Sequence, residues 1–257
     1  KISSPLEIKI CDPACGSGHI LVYAFELLYA IYEEEGFDAP EIPGLILQNN
    51  LFGIEIDERA AELAAFALVM KAREKDRRFF KRAATCGELV EPNICVMEKV
   101  EIKEKDLQVY MDEVGRDLFT VNLEETLRQF KDADNFGSLI RPIETDVEGV
   151  RKMLETKGVE GNMFLAGTHE SVLKILRMVE FLRPRYHVVV ANPPYMGGKG
   201  MNEELGKFAK KEYPDSKSDL FAMFIERGFE FVPKLVYSAM VTMQSWMFLS
   251  SYEKLRD

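Results

Sequence analysis

The chain has 257 residues, of which 47% are hydrophobic, 11% aromatic and 30% charged. That is enough apolar material for a full core, which excludes intrinsic disorder and a disulfide-dependent miniprotein; the length suits one large domain or two small ones, and a single α/β domain with an insertion fits as well as either. The 33 Lys+Arg against 43 Asp+Glu give a formal charge of −10, which excludes a protein whose main task is to coat nucleic acid, because non-specific DNA binding needs dense positive charge.

Locally the balance changes. Arg183 to Lys211 holds six basic residues and two acidic ones, Glu203 and Glu204, so a catalytic core that touches DNA at one place is compatible with the acidic total. The cysteines Cys11, Cys15, Cys86 and Cys95 form no CxxC pair and have no partnering His cluster. No metal site is expected, and reduced thiols suit the cytoplasm. No signal peptide opens the chain, and no stretch reaches the roughly 20 uninterrupted apolar residues of a membrane helix. The expectation is a soluble, cytoplasmic protein with no membrane partner. Both ends read as cut: the chain opens on Lys1, and Ser250 to Asp257 read as a helix still in progress. A fragment of a larger protein is expected.

In chain order, Leu6–Cys11 predicts a short strand leading into the tight segment Asp12–Gly18 (DPACGSG) and then a helix from about His19 to Glu35, stopped near Gly36. Pro40–Gly44 reads as a turn, Leu51–Ile56 as a second strand, and Asp57 to about Arg82 as an Ala-rich helix. This βαβ order predicts a parallel sheet with a right-handed crossover. Asn93–Val100 suggests a third strand, while Val121–Lys131, Val147–Thr156 and His169–Leu182 have helical periodicity, broken by Asp132–Ser138 and Gly158–Gly161. Residues of about 84–182 therefore read as a partly helical insertion. Regular order returns with the apolar strand His187–Ala191, which runs into Asn192–Tyr195 (NPPY). A long polar loop to about Ser218, a helix over Asp219–Val232 and a strand over Tyr237–Met243 follow. The fold class is α/β, a doubly wound and mostly parallel sheet.

Three segments carry chemistry. In Asp12–Gly18, Gly16 and Gly18 let the backbone bend and approach a ligand. The spacing is neither GxGxxG nor a P-loop, so a nucleoside ligand without phosphate fits better, although such turns also occur without ligands. Glu55 ends the second strand, where a carboxylate can accept hydrogen bonds from both hydroxyls of a ribose. Asp57 offers the same group, or the N-cap of the next helix; Glu55 is read as the ribose ligand and Asp57 as the cap. In Asn192-Pro193-Pro194-Tyr195, a rigid surface turn would explain the prolines but not the Asn and the aromatic. An exocyclic or amide NH2 is a poor nucleophile. The Asn192 side-chain oxygen and the Pro193 carbonyl can both accept its hydrogens and stabilise the positive charge that develops during attack. Pro194 keeps Pro193 extended, which aims that carbonyl, and Tyr195 offers a stacking face.

DPACGSG, GIEID at Gly53–Asp57 and NPPY after the VVVA strand together resemble the gamma-type N6-adenine DNA methyltransferases, including combined restriction–modification proteins. The long span between the motifs and DNFGSLI at Asp134–Ile140 look most like the large adenine methyltransferases of BREX phage defence. The resemblance implies a Rossmann-like methyltransferase sheet and S-adenosylmethionine as cofactor. Asp12, Pro13, Ala14, Cys15, Gly16, Ser17 and Gly18 would hold the methionine part and Glu55 the ribose, with Ile56 a further cofactor-binding residue. Asn192, Pro193, Pro194 and Tyr195 would hold a flipped adenine. For the residue contacting the cofactor's adenine, Asp134 and Glu98 are both candidates. The aromatic that completes the stack on the base and the target-recognition region are expected beyond Asp257. Double-stranded DNA, bound mainly outside this chain, and other phage-defence proteins are the implied partners. Two other readings stand beside this one: a protein-glutamine methyltransferase, which uses the same NPPY, and a non-catalytic module that binds cofactor or DNA. Lys199, Lys207, Lys210 and Lys211 read either as phosphate contacts or as a solvated loop. The scattered His19, His169 and His187 suggest no acid–base pair.

Overall fold

Two short strands with unbroken burial set the architecture. The computed structural model describes residues 2–81, 90–115, 120, 122–143, 146–157, 165–183, 185–232 and 236–256. In it all three residues of β1 (Ile10–Asp12) are buried, as are the first four of β2 (Leu51–Glu55). Successive strand residues face opposite sides of a sheet, so both strands are covered on both faces, as parallel strands are. With β3 (Asn93–Val96), β4 (Val188–Ala191) and β5 (Tyr237–Met240), the described residues form a five-stranded sheet of order β3-β2-β1-β4-β5. Every pairing is parallel. The chain winds outward from β1 through β2 to β3 and later through β4 to β5. The order therefore reverses between β1 and β4, the place where open α/β sheets bind ligands.

Helix α1 (His19–Glu34) follows β1, and α2 (Ile42–Asn49) and α3 (Glu58–Lys75) flank β2. Leu21, Phe25, Leu28 and Tyr32 of α1 share one apolar cluster with Ala64, Leu68 and Ala72 of α3. These residues recur at three- and four-residue spacing, the period of a helix face. Buried Asn50 ties the N-terminal segment to this layer: its Nδ2 donates to the Pro5 and Ile8 carbonyls at 2.7 Å each, and its Oδ1 accepts from the Tyr32 hydroxyl at 2.9 Å.

The chain divides into two compact units, Lys1–Val96 with Pro184–Asp257, and Met97–Arg183. The second unit contains α4 (Glu104–Val114), α5 (Leu123–Gln129), α6 (Ala133–Phe136), α7 (Val147–Lys157) and α8 (Ala166–Leu182). It buries side chains of its own, among them Leu107, Tyr110, Phe130, Val150 and Ile175. The Tyr110 hydroxyl and His169 Nδ1 lie 2.8 Å apart, a hydrogen bond within this unit. In the first unit, α9 (Glu203–Glu212) and α10 (Leu220–Phe231) precede β5, and α11 (Glu253–Arg256) follows it. No helix among the described residues is long and apolar enough to cross a membrane.

Several boundaries differ from the sequence expectation. The strand expected over Leu6–Cys11 begins only at Ile10, because Pro5–Glu7 forms a 3-10 turn capped by the Ser4 side chain. Pro40–Gly44 is not a plain turn: it runs into α2, with Pro in the first helical turn where its missing N–H costs nothing. The helix expected to reach Arg82 ends at Lys75, where Asp76 leaves helical geometry and its side chain accepts the Arg78 amide at 2.9 Å. The third strand stops at Val96 and the fifth at Met240. Part of the expected polar loop is α9, opened by Asn202, whose side chain accepts the Leu205 amide. Asp132–Ser138, expected as a break, is a chain of short helical turns. Cys86, Arg82, Val121, Gly158–Gly161 and Asp257 lie outside the described residues.

Candidate active site

The turn after β1 is shaped by its own glycines and by the end of β2. Gly16 sits at φ +52° and Gly18 at φ +83°, left-handed conformations that side chains rarely adopt. A Cβ on Gly18 would also lie 2.9 Å from the Ala64 Cβ, so α3 packs directly beneath the turn, whereas a Cβ on Gly16 would meet nothing within 4 Å. The Cys15 amide donates to the Ile54 carbonyl at 3.1 Å, and the Gly16 amide donates to Glu55 Oε2 at 2.7 Å. The other oxygen of Glu55 accepts the Ile56 and Asp57 amides at 2.9 and 3.1 Å. Glu55 thus spans both loops while keeping acceptor capacity, since a carboxylate has about four lone-pair sites. Asp57 takes the capping role: its Oδ1 accepts the Arg59 amide at 2.9 Å at the start of α3. Ile56 is 50% exposed at the mouth of the turn.

Asp12 is buried and accepts the Ala14 amide at 3.1 Å. Burial pushes its carboxyl up to about 7, the Ala14 hydrogen bond pulls it down, and the charge of Glu55 pushes it up again. Burial, followed by the charges of Asp12 and Glu55, also raises the Cys15 thiol well above its usual range, which makes it packing rather than nucleophile.

β4 lies beside β1 in parallel register, with Ile10 opposite Val188 and Cys11 opposite Val189. The glycine turn and the Asn192–Tyr195 turn therefore leave neighbouring strands at the same, carboxyl end of the sheet. Asn192, Pro194 and Tyr195 are exposed and Pro193 is buried. The Tyr195 hydroxyl donates to the Val241 carbonyl at 3.1 Å or to Asn192 Oδ1 at 3.3 Å, and its ring meets Phe221 edge-on at 6.0 Å. One hydroxyl has one proton, so the Val241 carbonyl and Asn192 compete for it. Val241 was not apparent in the sequence. Nor was Asp219, whose Oδ1 accepts the Met196 amide at 3.0 Å, although an Asp opening an apolar helical run is a readable N-cap signal.

The remaining candidates lie elsewhere. Asp134 is exposed on α6, and Glu98 reaches Lys174 Nζ at 3.6 Å; both belong to the Met97–Arg183 unit. Lys207 is paired with Glu203 at 2.8 Å and Glu204 at 3.2 Å, and Lys211 with Glu212 at 2.8 Å, whereas Lys199 and Lys210 are exposed. Of the histidines, His19 Nδ1 lies 3.1 Å from Ser17 Oγ, and His187 Nδ1 accepts the Lys9 amide at 3.1 Å.

A parallel sheet of this order, with a glycine bend after its first strand and a carboxylate ending its second, is a Rossmann-like methyltransferase fold. The chain belongs to the Eco57I restriction-modification methylase family, which it matches over residues 49–257. Methylases of this kind generally take their methyl group from S-adenosylmethionine. The adenine-specific methyltransferase BrxX of Escherichia coli O9:H4 (strain HS) is 43% identical over 98% of the chain, and adenine-specific PglX of Lacticaseibacillus casei (strain Zhang) 37% identical over 98%. PglX of Streptomyces coelicolor is 28% identical over 87% of the chain. The resemblance to adenine-specific methyltransferases thus extends along nearly the whole chain. The chain spans 22% and 21% of the lengths of the first two relatives, about a fifth.

Proposed function

We propose that the chain is the cofactor-binding and catalytic core of a DNA adenine-N6 methyltransferase that marks self DNA in phage defence or restriction–modification. The observation that carries this reading is the adjacency of the two turns: the glycine bend after β1 and Asn192–Tyr195 after β4 open at one end of neighbouring parallel strands. A donor in the first and an amine held by the second would then meet across the switch point of the sheet.

The residues around the first turn fit S-adenosylmethionine. Two carboxylates, Asp12 and Glu55, suit a cation and a ribose, open space at Gly16 admits close approach, and exposed Ile56 offers an apolar surface to a base. When bound, this cofactor supplies an electrophilic methyl group. The rest of the chemistry belongs to the chain. Asn192 Oδ1 and the Pro193 carbonyl accept hydrogens from the adenine N6 amine, which turns its nitrogen density toward the donor and stabilises charge as it develops. Tyr195 provides a face for the flipped base. No strong base is required, because the proton leaves a nitrogen that has already become cationic.

In the full-length protein, Asn192→Ala is expected to abolish adenine methylation, with cofactor affinity and thermal stability unchanged. Mass spectrometry of the DNA product and calorimetric titration of the cofactor would check this. Undiminished methylation by the variant rejects the catalytic role of Asn192. Radiolabel transfer to protein instead of DNA would reassign the acceptor to a glutamine amide.

A further inference from the structure

The Asn192–Tyr195 turn is exposed, yet its chemistry demands fixed aim. Its entry is held by the sheet, since the Val241 amide donates to the Ala191 carbonyl at 3.0 Å and Ala191 pairs with Met240. Within the turn two prolines fix φ. Its exit is held by a separate device. Asp219 Oδ1 accepts the Met196 amide at 3.0 Å and, from the other direction, the Phe221 amide at 3.4 Å at the start of α10. The Leu220 amide donates back to the Met196 carbonyl at 3.1 Å, and the Gly198 amide to the Ser218 carbonyl at 3.1 Å. Gly197 and Asp219 form an antiparallel bridge. Both backbone groups of the residue that follows Tyr195 are therefore bound to the segment that begins α10, and Phe221 of that helix meets the Tyr195 ring.

We propose that Asp219 is a positioning residue of the methyl-transfer reaction: its carboxylate clasps the exit of the Asn192–Tyr195 turn to the start of α10 and so keeps the Asn192 oxygen and the Pro193 carbonyl aimed at the amine. The proposal rests on the catalytic reading above. It goes beyond helix capping, because a cap alone would bond the Phe221 amide and not the Met196 amide. A displacement of about 1 Å at reacting groups can cost about a hundredfold in rate, so losing the clasp should appear in the chemical step.

The test uses the full-length protein with three substitutions: Asp219→Ala, Asp219→Asn and Asn202→Ala. The last removes the N-cap of α9, whose side chain accepts the Leu205 amide at 2.9 Å. Asp219→Ala should lower single-turnover methyl transfer at least about tenfold with cofactor KM unchanged, while Asp219→Asn, which keeps an acceptor oxygen, should restore most of the rate. Asn202→Ala should leave transfer unchanged. Hydrogen–deuterium exchange over residues 192–200, without cofactor or DNA, should accelerate in Asp219→Ala and not in Asn202→Ala. Unchanged exchange in Asp219→Ala, or an unchanged rate in an active protein, overturns the clasp. If the unsubstituted protein methylates no adenine, the catalytic reading falls, and the exchange result still decides whether Asp219 holds the turn.

Discussion

Asp12 shows how much one buried carboxyl can reveal. Its carboxyl is lifted to about 7, first by burial, while the Ala14 amide opposes the shift and Glu55 adds to it. The unfolded chain has an ordinary aspartate near 3.9. The folded state therefore holds the proton more tightly, and the associated stability, full below the unfolded value, is lost as pH rises through about 7 and is flat above it. Cofactor binding carries the opposite sign. A sulfonium and an ammonium favour ionised Asp12, so affinity for S-adenosylmethionine should tighten as pH rises from about 6 to about 7, by up to about tenfold per unit, and level off near 8. Calorimetry at three pH values, in buffers of different ionisation enthalpy, should show protons released on binding below pH 7. Asp12→Asn should flatten the profile; a profile of the same slope in that variant would place the titrating group elsewhere.

At the scale of elements, neighbouring acids at the end of β2 do different work, and the difference can be measured. The Glu55 carboxylate accepts the Gly16 amide across in the first turn, whereas the Asp57 carboxylate accepts the Arg59 amide at the start of its own helix. Asp57→Ala should cost about 1 kcal/mol of stability, the usual value of an N-cap, with cofactor affinity intact. Glu55→Ala should weaken cofactor binding by tenfold or more. Denaturant unfolding and calorimetric titration of the two variants would separate the roles, and a reversed pattern would exchange them.

The same elements explain what was legible in the sequence. The β1–turn–α1 and β2–α3 units could be read because glycines, an acid and a long apolar period coincide there. The start of α10 at Asp219 could be read because a capping residue precedes an apolar run. Helix α2 was obscured by Pro43 and Gly44, which resemble turn residues although Pro fits an early helical turn. Helix α9 has little apolar pattern, with only Leu205 and Ala209 buried, so its identity lay in its Asn cap, early glutamates and late lysines. The exit clasp was invisible for another reason: it joins Met196 to Asp219 across 23 positions through backbone amides, which leave no residue pattern.

At the scale of the molecule, the candidate cofactor residues do not all fall in one unit. The residues assigned to the two turns and to the end of β2 all lie in the unit that contains the sheet, and Asp134 is the exception. Its rival Glu98 is engaged by Lys174 at 3.6 Å, whereas Asp134 stands exposed in the first turn of α6. A carboxylate accepting a hydrogen bond from an exocyclic amine contributes about 1.5–3 kcal/mol, as bonds to charged groups do. If Asp134 holds the cofactor's adenine, Asp134→Ala should therefore weaken S-adenosylmethionine binding at least about tenfold, and Glu98→Ala should leave it unchanged. Sinefungin, which keeps that adenine, should lose as much affinity as S-adenosylmethionine. A fragment without the base, methionine, should bind both proteins equally. Equal cofactor affinity in Asp134→Ala and the unsubstituted protein would reject Asp134 as the contact to the cofactor's adenine.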